Sequence, residues 1–122
     1  MSKEKSLELE SLVLLKLKGK MLLLHTQEER SAFALTALEE VLKEEHRFTS
    51  EFPSANEKKG FIKHFLSYGI IEDLLCDVEV EDVIINSLKP IYIHHAQKGF
   101  IATDRHFSSH KELSIFIQKL LM

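Results

Sequence analysis

Four of the seven histidines in this sequence, His94, His95, His106 and His110, lie close together in its final third. Neutral imidazoles are common zinc ligands, and the separation of four between His106 and His110 suits a helix face or a tight turn. Two features work against a metal centre. His94 and His95 are neighbours on a predicted strand, so they point to opposite faces and at most one can join a site. Ser109 has the place of a helix cap between His106 and His110. His94, His106 and His110 are therefore weak metal candidates, and ordinary exposed polar histidines are the favoured reading. Cys76 stands between Leu75 and Asp77 with no cationic neighbour to hold a thiolate, so it is a weaker ligand or nucleophile still.

A second concentration of chemistry is acidic. Glu72, Asp73, Asp77, Glu79, Glu81 and Asp82 fall within one stretch that contains no base. Paired carboxylates serve as general acid and base or bind divalent cations. The glycine that a tight calcium loop requires is missing, which leaves a solvated edge facing a protein partner. Such an edge confers specificity and encounter rate more than affinity.

The composition limits the possible functions. The chain has 122 residues, 44% hydrophobic and 29% charged, enough for one domain with one core. Its 16 Lys and Arg against 19 Asp and Glu give a net charge of -3, which argues against a general nucleic-acid binder. Tyr92 and the phenylalanines lack the basic neighbours of an RNA-binding sheet, since only Lys89, Lys98 and Arg105 are near, so core packing is their expected use. The single cysteine cannot form an intramolecular disulfide, in keeping with a reducing compartment. The leucine-rich stretch from Leu7 to Leu24 is interrupted by Glu8, Glu10, Lys16, Lys18 and Lys20, so neither a spanning helix nor a secretory signal is expected. A helix docked in its own bundle is the favoured reading over one resting on a membrane or partner. A soluble, cytoplasmic protein is expected.

These residues must be positioned by an α+β fold: a helical part over residues 1–68, with about three helices, beside a small antiparallel three-stranded meander and a C-terminal helix over residues 69–122. The first helix is predicted from Ser6 to His25, with Gly19 a weak point. Thr26 and Glu29 have capping-box spacing ahead of a helix with apolar Ala34, Leu35, Leu38, Val41 and Leu42. Ser54 and Glu57 repeat the spacing before Phe61, Ile62, Phe65 and Leu66, and Gly69 is expected to take the left-handed position at that helix's end. A short helical segment over Ile70 to Leu75 precedes strands at Val83–Ile85, Ile91–His94 and Phe100–Thr103. Ser109 and Glu112 then open a last helix with Leu113, Phe116, Ile117 and Leu120 on one face.

From Tyr68 onward the chain resembles the N-terminal domain of the type II and type IV secretion ATPase superfamily, which powers secretion, pili and archaella. The matching residues are Gly69-Ile70-Ile71-Glu72-Asp73-Leu74-Leu75-Cys76-Asp77, then Val80, Asp82, Val83, Ile85 and Asn86, then Pro90 to Ile93, Gly99, and Thr103 to Ser109 through Leu113. The branch that serves tight-adherence pili is the most similar. Ser87 departs from the pattern, standing where the family usually has glycine, and His94-His95 replaces an acidic and basic pair.

The resemblance implies a non-catalytic domain that sits over a motor, helps form a hexameric ring and transmits movement to membrane partners. The expected partners are proteins of a secretion or pilus machine, with neighbouring ATPase subunits where a motor is attached. Contact with the inner membrane would be peripheral, through its proteins, and no nucleic acid is involved. The six acids are the candidate interface. ATP and Mg belong to a P-loop, Gly-x-x-x-x-Gly-Lys-Ser/Thr, which this sequence does not contain. Gly19-Lys20 is followed by Met21 in a helical leucine series and reads as structural. No cofactor and no enzyme activity are therefore expected of this chain. An alternative is a stand-alone interaction or regulatory module derived from such an ATPase, and a histidine-based zinc protein is a third reading.

Overall fold

The structure is a computed structural model that describes residues 1–21 and 25–121. It has the α+β architecture expected, with helices first, then a three-stranded antiparallel sheet and a C-terminal helix. The chain divides into two compact units, one comprising Met1–Ser67 with residues 117–122, the other Tyr68–Phe116.

The first unit is built on α1 (Lys3–Leu17), α2 (Gln27–Glu44) and α3 (Ala55–Leu66), with a 3-10 turn over His46–Glu51. α1 begins earlier than the apolar pattern suggested because the Ser2 hydroxyl accepts the Lys5 N–H at 3.2 Å. It ends well short of His25. Lys18 leaves helical geometry with ψ 119, and Gly19 sits at φ +77, a left-handed turn open to a residue without Cβ. The portion of the expected helix at Leu22 to Leu24 lies outside the described residues.

Both interior capping boxes form. The Thr26 hydroxyl accepts the Glu29 N–H at 3.1 Å while the Glu29 carboxylate accepts the Thr26 N–H at 3.0 Å, and these bonds hold the Glu29 carboxyl below its ordinary range. Ser54 and Glu57 do the same at the start of α3. The unit's core draws on Leu9, Val13, Leu14 and Leu17 of α1, Ala34, Ala37, Leu38 and Val41 of α2, and Phe61, Ile62 and Phe65 of α3, with Phe48 fully buried. Phe61 meets Phe52 edge-on at 5.7 Å and stacks on Phe65 at 6.1 Å, geometries that suit aromatic quadrupoles.

The second unit starts with a 3-10 turn over Gly69–Ile71 and the short helix α4 (Glu72–Cys76). Gly69 does have positive φ, at +59, but it opens this turn; α3 has already ended at Leu66, with Ser67 extended. The strands β1 (Val80–Ile84), β2 (Tyr92–His95) and β3 (Gly99–Ala102) follow in the order β1-β2-β3. Val83 pairs with Ile93, Ile93 with Ile101 and His94 with Phe100. β1 starts three residues before the β-branched run because backbone pairing extends it: Ala96 N–H donates to Glu79 O at 2.8 Å, and a bulge near Glu81 absorbs the irregularity. The loop between β2 and β3 closes on Gly99 at φ +72, a conformation that short hairpins require.

α5 (His110–Leu120) opens at Ser109, whose hydroxyl accepts the Glu112 N–H at 3.1 Å. The Glu112 carboxylate reaches back to Ser108, accepting its N–H at 3.2 Å. Ile71, Ile91, Phe107 and Phe116 form the buried centre of this unit, ringed by Tyr68, Ile70, Leu74, Val83, Ile85, Leu88 and Leu113. This assembly of strand, turn and helix residues positions both the acids and the histidines.

Candidate functional site

The six acids are exposed but they are not a uniform row, because the fold gives each one local work. Glu72 accepts the Tyr68 N–H at 2.7 Å and so fastens the start of α4. Asp77 accepts the Glu79 N–H at 2.9 Å, a short turn that steers the chain into β1. Glu79 faces the His95 Nε2 at 3.0 Å, and Glu81 and Asp82 flank the His94 Nδ1 at 3.4 and 3.5 Å.

Asp73 has the strongest partner. The two terminal guanidinium nitrogens of Arg105, Nη1 and Nη2, donate to its carboxylate oxygens, and Arg105 Nη1 also donates to the Ile70 carbonyl at 3.0 Å. The fork geometry of arginine matches a carboxylate bidentately. The paired guanidinium holds the Asp73 carboxyl below its ordinary range, and Asp73 in turn raises Arg105. Composition gave no hint of this pairing, since the acid stretch has no base within it. The partner comes from the far side of the sheet hairpins in sequence, and only folding supplies it.

His94 and His95 take opposite faces, as strand alternation requires. His94 is half-exposed and stacks on Phe100 with centroids 4.6 Å apart. His95 is buried, and its Nδ1 accepts the N–H groups of both Gln97 and Lys98 at 3.2 Å. A lone pair used twice at Nδ1 leaves the ring proton on Nε2, where it points at Glu79. His95 thus closes the hairpin.

His106 lies in the exposed loop after β3, and His110 is the first residue of α5. Among the described residues, no group of three or more His, Cys, Asp or Glu side chains could hold a metal ion. The histidines singled out by spacing are thus not brought into one ligand set with each other or with the exposed Cys76. No helix among the described residues is long and apolar enough to cross a membrane.

The outward face of the sheet is the most distinctive surface of this unit. Ile84, Tyr92 and Phe100 are 41%, 45% and 70% exposed, with Asp82 and His94 beside them. A strand face that combines an isoleucine, a tyrosine and a phenylalanine with a bordering set of acids can receive another protein surface through apolar burial, with the acids selecting its charge. Comparison with protein-family models and with curated proteins found no match to this chain.

Proposed function

We propose that this chain is the non-catalytic, partner-contacting N-terminal domain of a type II or type IV secretion or pilus-assembly ATPase, working on the cytoplasmic side of the inner membrane. The observation that carries the reading is the order of the residues that resemble that family, from Gly69 to Leu113. Those residues make up one compact unit as turn, strand, hairpin and capped helix. Ser87 adds support of a physical kind. It stands where the family usually has glycine, and it adopts φ +54, a conformation that a glycine takes without strain.

On this reading the chain binds no nucleotide itself, and the exposed sheet face with Glu81 and Asp82 meets a basic, partly apolar surface on a neighbouring subunit or an inner-membrane protein. The coding frame beyond codon 122 tests it. A run of the form Gly-x-x-x-x-Gly-Lys-Ser/Thr further along is the expected result. A stop codon at that point would favour the stand-alone module, and an unrelated domain there would overturn the proposal.

A further inference from the structure

The turn between β2 and β3 is held by an acceptor that a proton can remove. Ala96, Gln97 and Lys98 form the turn, and His95 is the last residue of β2 before it. The Nδ1 atom of His95 accepts the N–H groups of Gln97 and Lys98, each at 3.2 Å. Asn, Asp and Ser are the usual residues at the start of a tight turn, because a short side chain with an acceptor can take the N–H groups just beyond it. His95 does the same with a ring nitrogen. An amide oxygen accepts at any ordinary pH, whereas an imidazole nitrogen accepts only while it carries no proton.

A second proton on this ring has one place to go. Nε2 already bears the hydrogen that points at the Glu79 carboxylate, 3.0 Å away, so the proton must enter at Nδ1. There it displaces both donors at once, because three N–H groups would otherwise meet with no acceptor between them. The ring has little room to turn aside, being 8% exposed. The charges around it decide which partner is given up. Val80 of β1 and Gly99 of β3 pair with His95, and neither carries a charge. His94 takes the opposite face of the strand, and Lys98 is exposed. Among the described residues Glu79 is the ion-pair partner of the ring, and a carboxylate holds an imidazolium more strongly than an imidazole. A charged ring therefore stays with Glu79, and the turn gives way. The Glu79 carbonyl also accepts the Ala96 N–H at 2.8 Å and fixes the near end of the turn, so the change falls on Gln97, Lys98 and the start of β3.

We propose that His95 is a pH-sensitive latch: the neutral ring closes the β2–β3 turn on Gln97 and Lys98, and the protonated ring keeps Glu79 and releases both. Phe100, two residues past Lys98, is 70% exposed on the outward face of the sheet, where it stacks on His94. Acid thus loosens one corner of that face. The inference stands independently of the secretion-ATPase reading.

Solution NMR of the isotope-labelled chain from about pH 8 to about pH 5 is the test. At the upper end the His95 ring is expected to carry its proton on Nε2 and none on Nδ1. As Nδ1 takes up a proton, amide exchange at Gln97 and Lys98, measured against an unstructured peptide at the same pH, is expected to rise about five- to tenfold, the equivalent of one lost hydrogen bond. No matching rise is expected at the far end of the hairpin, where Thr103 N–H donates to Ile91 O at 2.9 Å. His95→Asn supplies a carbonyl oxygen near the position of Nδ1 that does not titrate in this range, so both amides should keep their protection throughout. A proton on Nδ1 at the upper end overturns the proposal, as does a ring that stays neutral to the lower end. So do amides that stay protected once the ring is charged, or a His95→Asn variant that loses them in acid as the parent does.

Discussion

Arg105 binds both carboxylate oxygens of Asp73 from 32 positions away in the chain, and it ties the loop after β3 to the first turn of α4. The pairing has a pH signature. The Asp73 carboxyl titrates below its unfolded value, so its stabilising contribution is complete above that unfolded value and disappears as pH falls through the lower, folded one. Asp73→Asn is expected to be less stable than the parent near neutrality, with the gap closing in acid below about pH 4. Denaturant midpoints measured across pH for both proteins check this, and a gap that stays constant down to about pH 2 would contradict it.

Ser87 is the one residue other than glycine with positive φ among those described, at +54. The left-handed conformation costs a residue with a Cβ roughly 1–2 kcal/mol, against which glycine loses about 0.5–1 kcal/mol of chain entropy. Ser87→Gly is therefore expected to stabilise the protein by about 0.5–1 kcal/mol. A thermal unfolding midpoint that drops on this substitution would show that the serine hydroxyl matters more than the backbone.

The adjacent histidines are expected to differ sharply. His95→Leu leaves the Gln97 and Lys98 N–H groups without their acceptor, at a cost of about 1–3 kcal/mol. His94→Leu removes a half-exposed ring from the outward face and should change stability by less than about 0.5 kcal/mol. Chemical denaturation of the two variants decides the matter. Equal losses would mean that the hairpin does not depend on the Nδ1 acceptor.

Glu10 is buried on α1, and its Oε1 meets the Lys119 Nζ at 2.5 Å, with the same ammonium 4.8 Å from the centre of the Phe65 ring. Lys119→Ala strands a carboxylate in an apolar setting. The expected loss is about 3 kcal/mol, at the lower end for a buried pair because Lys119 keeps some water access. Replacing both residues by leucine should recover most of that loss. If the double variant is as unstable as the single one, packing around Lys119 outweighs its charge.

Local chemistry was readable from the residue order wherever neighbours in sequence do the work. Thr26 with Glu29 and Ser54 with Glu57 form caps because a hydroxyl and a carboxylate three residues apart meet the free N–H groups of a first turn in any context. The three-stranded meander follows likewise from β-branched runs separated by turn residues. Boundaries were less legible. β1 starts at Val80 because β2 and its loop supply partners, and no property of Val80 itself announces that.

Partnerships across the chain belong to tertiary structure alone. The acid stretch reads as one solvated edge by composition, yet Asp73 is bound by Arg105, Glu79 faces a buried histidine, and Glu81 with Asp82 flanks an exposed one. Lys119 and Glu10 stand at opposite ends of the sequence and share one buried ion pair. The physical reason is range: caps, turns and strand alternation depend on residues a few positions apart, whereas a charge finds its partner only when the whole chain has chosen which surfaces to bury.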